Sequence, residues 1–185
     1  MTDHAALVAL LADRSVKRGQ FTLASGKKSE YYIDARLTTM SPEGLFLIGA
    51  LALASLRKSG WRPDAIGGLT LGADPISYAV SYASAGSDNP LRAFTVRKEA
   101  KSHGTGRLIE GPFRAGDRVV VIEDVITTGG SALRAIEVIR AAQGRVVGAL
   151  ALVDRGEGGR QAIEAAGTSV ISLVSAAEII EALGA

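Results

Sequence analysis

A chain of 185 residues is long enough to bury a core without a disulfide or a metal, and one domain spanning 1–185 is the expectation at that length. It contains no cysteine, which excludes a disulfide framework and thiolate metal sites and fits a reducing compartment, the cytoplasm. Its net charge of +2, despite a pI near 9.0, gives little support to a nucleic-acid partner for the chain as a whole.

The N-terminal stretch MTDHAALVALLADRSVKRG lacks a basic leader and falls well short of the roughly 18 apolar residues of a membrane span, so neither secretion nor membrane insertion is expected. Leu7, Leu10 and Leu11 recur at helical spacing, predicting an amphipathic helix that ends near Gly19. FTLASGKKSEYYIDAR follows as two short β-runs around Ser25-Gly26-Lys27, a hairpin with a polar tip. Ser41 then supplies an N-cap and Pro42 a first helical residue, opening a helix to about Lys58 that Gly60 and Pro63 end.

Alternation begins after Pro63. The apolar runs Ala65–Leu69, Leu91–Val96, Val119–Ile122, Val146–Val153 and Val170–Val174 predict buried strands. Helical stretches are expected at Pro75–Ala85, Ser131–Ala142, Gly159–Ala166 and Ala176–Leu183. Strands apolar throughout and alternating with helices imply an α/β fold with a largely parallel central sheet flanked by helices on both faces. Ligands bind such sheets beyond the carboxyl ends of the strands, here the loops after Leu69, Val96, Ile122 and Val153.

The loop after Ile122 carries the most chemistry. Glu123 and Asp124 follow the strand, and Thr127-Thr128-Gly129-Gly130-Ser131 forms the turn into the next helix. Amides at a helix start carry the positive end of the helix dipole, glycines allow a phosphate close to the backbone, and the hydroxyls add donors. Carboxylates beside a phosphate would repel it, so the acids are better placed on sugar hydroxyls or near a divalent cation. The two halves together describe a sugar-phosphate pocket. Neither GxxxxGK[ST] nor GxGxxG is present, which lowers the prior for an ATPase or a dinucleotide enzyme.

Positive charge is concentrated in one Gly-containing loop, RKEAKSHGTGR, where Arg97, Lys98, Lys101 and Arg107 face only Glu99, with His103 among them. Such a loop suits a lid closing on a multiply charged anion.

VVVIEDVITTGGS resembles the phosphoribosyl diphosphate (PRPP) signature of type I phosphoribosyltransferases, in which an acidic pair faces ribose hydroxyls and the following loop holds the 5′-phosphate. The resemblance implies the type I phosphoribosyltransferase fold, with a small N-terminal hood over residues 1–40 containing the hairpin and an α/β core over 41–185. It places Glu123, Asp124, Val125, Ile126, Thr127, Thr128, Gly129, Gly130 and Ser131 on PRPP.

FTVRKEAKSHGTG is similar to the mobile catalytic loop of orotate phosphoribosyltransferases, assigned here to 97–110. That similarity puts Arg97, Lys98, Lys101 and His103 on PRPP or pyrophosphate, makes Lys101, His103 and Arg97 the catalytic residues, and leaves Lys101 and His103 as alternative proton donors. In that family the loop reaches a neighbouring subunit, implying a homodimer with shared sites. ALVDRGEGG resembles the family's DRxEGG turn and nominates Arg155 for orotate, whose carboxylate a guanidinium meets through two hydrogen bonds. The hairpin resemblance adds Tyr32 and Ile33, and Thr127 also reaches the base.

Two departures stand out. Ala24 replaces a lysine that contacts PRPP in many members, with Lys27 and Lys28 nearby. GGLTLGADPI lacks a lysine that some members carry, so Gly72-Ala73-Asp74 would act through backbone amides, with Asp74 also capping the Pro75 helix. The pyrophosphate grip then rests more on the loop and on Mg²⁺, held mainly through PRPP rather than by protein metal ligands. The expected activity is transfer of ribose 5-phosphate from PRPP to orotate, giving orotidine 5′-monophosphate and pyrophosphate. The alternatives are a phosphoribosyltransferase for another base and a PRPP-binding regulator.

Overall fold

The computed structural model describes residues 2–22, 26, 28–99 and 107–184. Helix α1 (Asp3–Ser15) starts at Thr2, whose hydroxyl accepts from the Ala5 amide, and ends four residues before the expected Gly19. Val16 instead opens strand β1 (Val16–Thr22), which pairs antiparallel with β2 (Lys28–Ile33), Val16 opposite Ile33. A β-branched residue gains more from that cross-strand contact than from another helical turn. A short helix α2 (Arg36–Thr39), absent from the sequence reading, links the hairpin to α3 (Pro42–Ser59). Ser41 caps α3 by accepting from the Gly44 amide at 3.1 Å, and Gly60 ends it at φ 75°, a left-handed conformation that glycine adopts without steric cost.

The rest alternates as expected: β3 (Ala65–Leu69), α4 (Ala73–Ser84), β4 (Arg92–Val96), β5 (Ile109–Glu110), β6 (Arg118–Ile126), α5 (Gly130–Ala141), β7 (Arg145–Asp154), α6 (Gly159–Ala165), β8 (Val170–Ser175) and α7 (Ala176–Gly184). The six-stranded sheet runs β5-β4-β3-β6-β7-β8 and is parallel except for the β4–β5 pair. Strand β5 shortens the expected loop, because Ile109 and Glu110 pair with Val96 and Thr95 and the Arg97 amide donates to the Leu108 carbonyl at 2.8 Å.

Successive residues of the central strands point to opposite faces. Val120, Ile122, Leu150 and Leu152 pack with Leu7 and Leu11 of α1, Ile48 of α3 and Ile179 of α7. Val119, Val121, Ala149 and Ala151 pack with Ile136 and Ile139 of α5 and Ile163 of α6. A double-sided core explains the uninterrupted apolar runs. From β3 the chain passes to β4 on one side and later returns to β6 on the other. The carboxyl ends of β3 and β6 therefore form the topological switch point where α/β sheets bind ligands.

Candidate active site

A cavity of about 400 Å³ opens at that switch point. Its walls come from the end of the hairpin (Tyr32–Arg36), the β3–α4 loop (Leu69–Gly72), β6 with its following turn, Lys98 and Arg155. Of the residues singled out in the sequence it gathers Tyr32, Ile33, Lys98, Glu123, Asp124, Val125, Thr127, Ser131 and Arg155. Lys101 and His103 lie outside the described residues, as do Ala24 and Lys27.

The acids stand inside strand β6, which runs to Ile126, rather than after its end as the sequence predicted. Pairing of Glu123, Val125 and Ile126 with Ala151, Val153 and Asp154 of β7 satisfies the backbone even though carboxylates interrupt the apolar run. Both carboxylates are withdrawn from water. Burial first, then the Asp124 charge, pushes the Glu123 carboxyl up to about 8. Burial also raises Asp124, opposed by the Val125 amide, which donates to its Oδ1 at 2.8 Å, by Glu123 and by the charge of Arg36. Glu123 Oε2 is buried and, among the described residues, meets no hydrogen-bond donor. A buried acceptor in that state is matched to a hydroxyl brought by a ligand.

The turn expected to take phosphate lies next in the chain. Gly129 takes φ 83° to turn β6 into α5, and among the described residues no side chain caps that helix. Its first-turn amides are thereby left to an anion. The turn packs tightly on α6, where a Cβ at Gly129 would come within 2.8 Å of the Gly159 carbonyl. Thr127 and Ser131 face the cavity, while Thr128 and Gly130 are exposed outside it. Ile126, named for PRPP in the sequence, is 1% exposed and packs in the core; its carbonyl accepts from the Arg155 amide, so it ties the two loops together. Across from the acids, a Cβ at Gly72 would run into the Asp124 carboxylate, which would have to move aside.

At the opposite end Arg155 is held on three sides. Its Nε donates to Glu157 at 2.7 Å, one terminal nitrogen donates to the Ser29 hydroxyl at 3.4 Å, and the guanidinium lies over the Tyr31 ring, 5.0 Å from its centre. Only 4% of the side chain is exposed. Asp154, its neighbour, binds Arg160 instead. Ile33 is buried and borders the cavity, and Tyr32 packs at a tilt of 36° against Phe21 with ring centres 5.7 Å apart.

Arg97 borders no part of the cavity; its guanidinium lies 3.7 Å from Glu110 and donates to the Glu99 carbonyl. The Lys98 carbonyl accepts from Arg134. Asp74 is a correction. It does not cap α4, whose N-cap is Gly72; it lies in the first turn and accepts from two threonine hydroxyls. Sequence reasoning missed Arg36, which lines the cavity, pairs with Asp34 at 2.8 Å and faces Asp124. It also missed Tyr31 and Ser29 as part of the frame around Arg155. YYIDAR contains the first signal, an arginine closing a hairpin, but its direction is set only by the tertiary fold.

The phosphoribosyl transferase domain model matches residues 39–181. A protein of Aquifex aeolicus named orotate phosphoribosyltransferase is 47% identical over 183 residues, covering 97% of this chain and 99% of its own. Its namesake from Rhodopirellula baltica is 45% identical over 177 residues, covering 94% and 92%. Among solved structures, Mycobacterium tuberculosis orotate phosphoribosyltransferase with Fe(III) dicitrate superposes at a TM-score of 0.82 with 42% identity, covering 96% of this chain and 99% of that one. The same enzyme in complex with PRPP superposes at 0.79 with 39% identity and the same coverage.

Proposed function

We infer the chemistry of this cavity from the family to which the chain belongs, the orotate phosphoribosyltransferases within the phosphoribosyltransferase fold. The reaction is transfer of ribose 5-phosphate from PRPP to orotate, giving orotidine 5′-monophosphate and pyrophosphate, a step of pyrimidine synthesis. One observation carries the assignment of parts: a buried carboxylate pair beside a helix start without a side-chain cap, in the same cavity as a buried, oriented arginine.

In this reading the Thr127–Ser131 turn takes the 5′-phosphate and Glu123 and Asp124 accept the ribose hydroxyls. Arg155 takes the orotate carboxylate, with Tyr32, Ile33 and Thr127 bordering the ring. N1 of orotate bonds to C1 of the ribose as the bond from C1 to the pyrophosphate oxygen breaks. The N1 proton is lost, and the oxygen left on pyrophosphate gains one from Lys101 or His103. Lys98 and Arg36 face the cavity and add positive charge where pyrophosphate departs. Mg²⁺ would be held mainly through PRPP, and among the described residues there is no group of three or more acids or histidines that could hold it alone. Bound there it neutralises leaving-group charge.

A dimer supports the same scheme. Arg97 is turned to Glu110 rather than to this chain's own cavity, which fits the family resemblance in which the loop serves a neighbouring subunit. The face formed by Phe46, Tyr78 and Tyr82, exposed at 76%, 53% and 86%, offers an apolar seat for that copy. Tyr78 reaches the root of the loop by its hydrogen bond to Thr95. No helix among the described residues is long and apolar enough to cross a membrane, and a cysteine-free enzyme acting on two small charged metabolites fits the cytoplasm.

Protein with Mg²⁺, PRPP and orotate is expected to consume the ultraviolet absorbance of orotate, while adenine, hypoxanthine and uracil give no product. Turnover of a purine without orotate would move the assignment to another base. Lys101→Ala is expected to cut turnover by about 100-fold or more with little change in Tm, since its proposed role is on the charge of the departing pyrophosphate rather than in the core. Mixing it with Asp124→Asn protein should restore part of the activity. A verified mixed dimer that stays inactive would remove the shared site.

A further inference from the structure

We infer that Asp74, which does not border the cavity, is a positioning residue for its pyrophosphate side. Asp74 lies in the first turn of α4 and is 8% exposed. Its Oδ2 accepts from the Thr70 hydroxyl at 2.7 Å and its Oδ1 from the Thr95 hydroxyl at 2.7 Å. The Thr95 oxygen lies 3.1 Å from the Tyr78 hydroxyl. Thr95 has one proton, and Asp74 takes it, so Tyr78 must donate to Thr95. The chain of donors therefore runs from the exposed face of α4 inward and ends on one carboxylate.

The two threonines belong to different elements. Thr70 is in the β3–α4 loop, whose members Thr70, Leu71 and Gly72 line the cavity opposite Asp124. Thr95 is the penultimate residue of β4, two before Arg97, where the basic loop leaves the sheet. The Thr70 amide also donates to the Val96 carbonyl at 2.8 Å. Asp74 thus fastens the β3–α4 loop that lines the pyrophosphate end of the cavity to the end of β4.

Stability alone does not require this arrangement. A desolvated carboxylate costs free energy, and apolar residues of similar volume serve a core equally well or better. A carboxylate earns its place here by accepting from two hydroxyls on separate elements at once. Only an acid of this length, at this turn, holds both.

The inference rests on the assignment of that end of the cavity to pyrophosphate, so binding of magnesium pyrophosphate is measured directly by calorimetry beside the steady-state kinetics. Asp74→Ala is expected to weaken pyrophosphate binding and raise KM for PRPP by about 10-fold, through loss of two charge-assisted hydrogen bonds, while KM for orotate stays within about twofold. Asp74→Asn keeps one carbonyl acceptor and should fall between. Thr95→Val removes the other hydroxyl held by Asp74 without altering the cavity wall and should shift the same two quantities; it decides alone if Asp74→Ala does not fold. A lower Tm with unchanged pyrophosphate affinity and PRPP KM would reduce Asp74 to a structural residue and overturn the inference. So would equal losses for PRPP and orotate. Wild-type protein that binds pyrophosphate but leaves orotate unconverted would sink the base assignment and leave this one standing.

Discussion

Glu123→Gln is expected to yield a protein that is more stable and much less active. In the folded chain burial and the neighbouring Asp124 push the Glu123 carboxyl up to about 8, whereas an unfolded glutamate titrates near 4.5. The sign follows from linkage. Below about pH 4.5 both states hold the proton and the side chain contributes nothing to the difference. Between there and pH 8 the unfolded chain releases a proton that the folded chain keeps, so stability falls as pH rises. Glutamine mimics the protonated acid at every pH. Its advantage should therefore be small at pH 5 and reach about 2 kcal/mol at pH 8, after allowance for the part of the side chain that faces water. For a chain of this size that is a rise in Tm of about 5 °C.

Activity should move the other way. The amide has lost one acceptor, and a hydrogen bond from a ribose hydroxyl to a charged oxygen is worth about 1.5–3 kcal/mol, so kcat/KM for PRPP should drop by about 10- to 100-fold. Ribose hydroxyls donating to Glu123 favour its ionised form. Wild-type protein should therefore release more protons than Glu123→Gln when it binds PRPP at pH 7, read by calorimetry in two buffers of different ionisation enthalpy. Equal proton release and equal Tm at pH 8 would mean that the carboxylate is ionised and solvated before substrate arrives.

This conflict between stability and function is visible in how the sequence failed to mark the end of β6. The run Val119–Ile122 is legible because each residue faces one of two apolar layers. Glu123 and Asp124 look like the start of a loop, since no strand interior favours adjacent carboxylates; pairing with Ala151 and Val153 on β7 carries the backbone through them all the same. The longer helices and the other core strands are legible for the same reason as Val119–Ile122, each with one or two apolar faces, whereas α2 and β5 are too short to carry a pattern. The boundary between α1 and β1 is not, because Lys17, Arg18 and Gly19 have no strong preference and Ile33, seventeen residues beyond Val16, decides it.

Within the site, glycines and hydroxyls after an acidic pair are a local pattern, and local patterns survive reading in one dimension. Arg36, Tyr31 and Asp74 are different. Each acts through contacts with residues of other elements: Arg36 with Asp124, Tyr31 with Arg155, Asp74 with Thr95. Alternation along β2 even offers Tyr31 and Tyr32 as equals, and only the packing sets Tyr31 beneath the arginine while Tyr32 borders the cavity.

Arg155 should show the largest effect on choice of base. Its Nε is committed to Glu157 and its plane is fixed against Tyr31, leaving the terminal nitrogens, one of them also 3.4 Å from the Ser29 hydroxyl, as the edge that the proposed orotate contact would use. A fork fixed in this way loses little rotamer entropy on binding, and the contact it makes is desolvated, with the side chain 4% exposed. Arg155→Ala should raise KM for orotate by about 100-fold or more, the usual scale for losing one partner of a buried charge pair, with KM for PRPP changed much less. Arg155→Lys keeps the charge but neither the fork nor the stacking, and should recover only a small part of the loss. Uracil, which lacks the carboxylate, gains nothing from Arg155, so its poor turnover should be nearly the same in all three proteins and the preference for orotate should collapse. The Ala variant also removes a guanidinium from Glu157, whose side chain is 15% exposed, and is expected to lose about 1–3 kcal/mol of stability. Glu157→Gln separates the two effects: it leaves the arginine in place but loosens its aim, so KM for orotate should rise while Tm changes less than in Arg155→Ala. Unaltered discrimination between orotate and uracil in Arg155→Ala would assign the carboxylate to another cation of the cavity, with Arg36 the first to test.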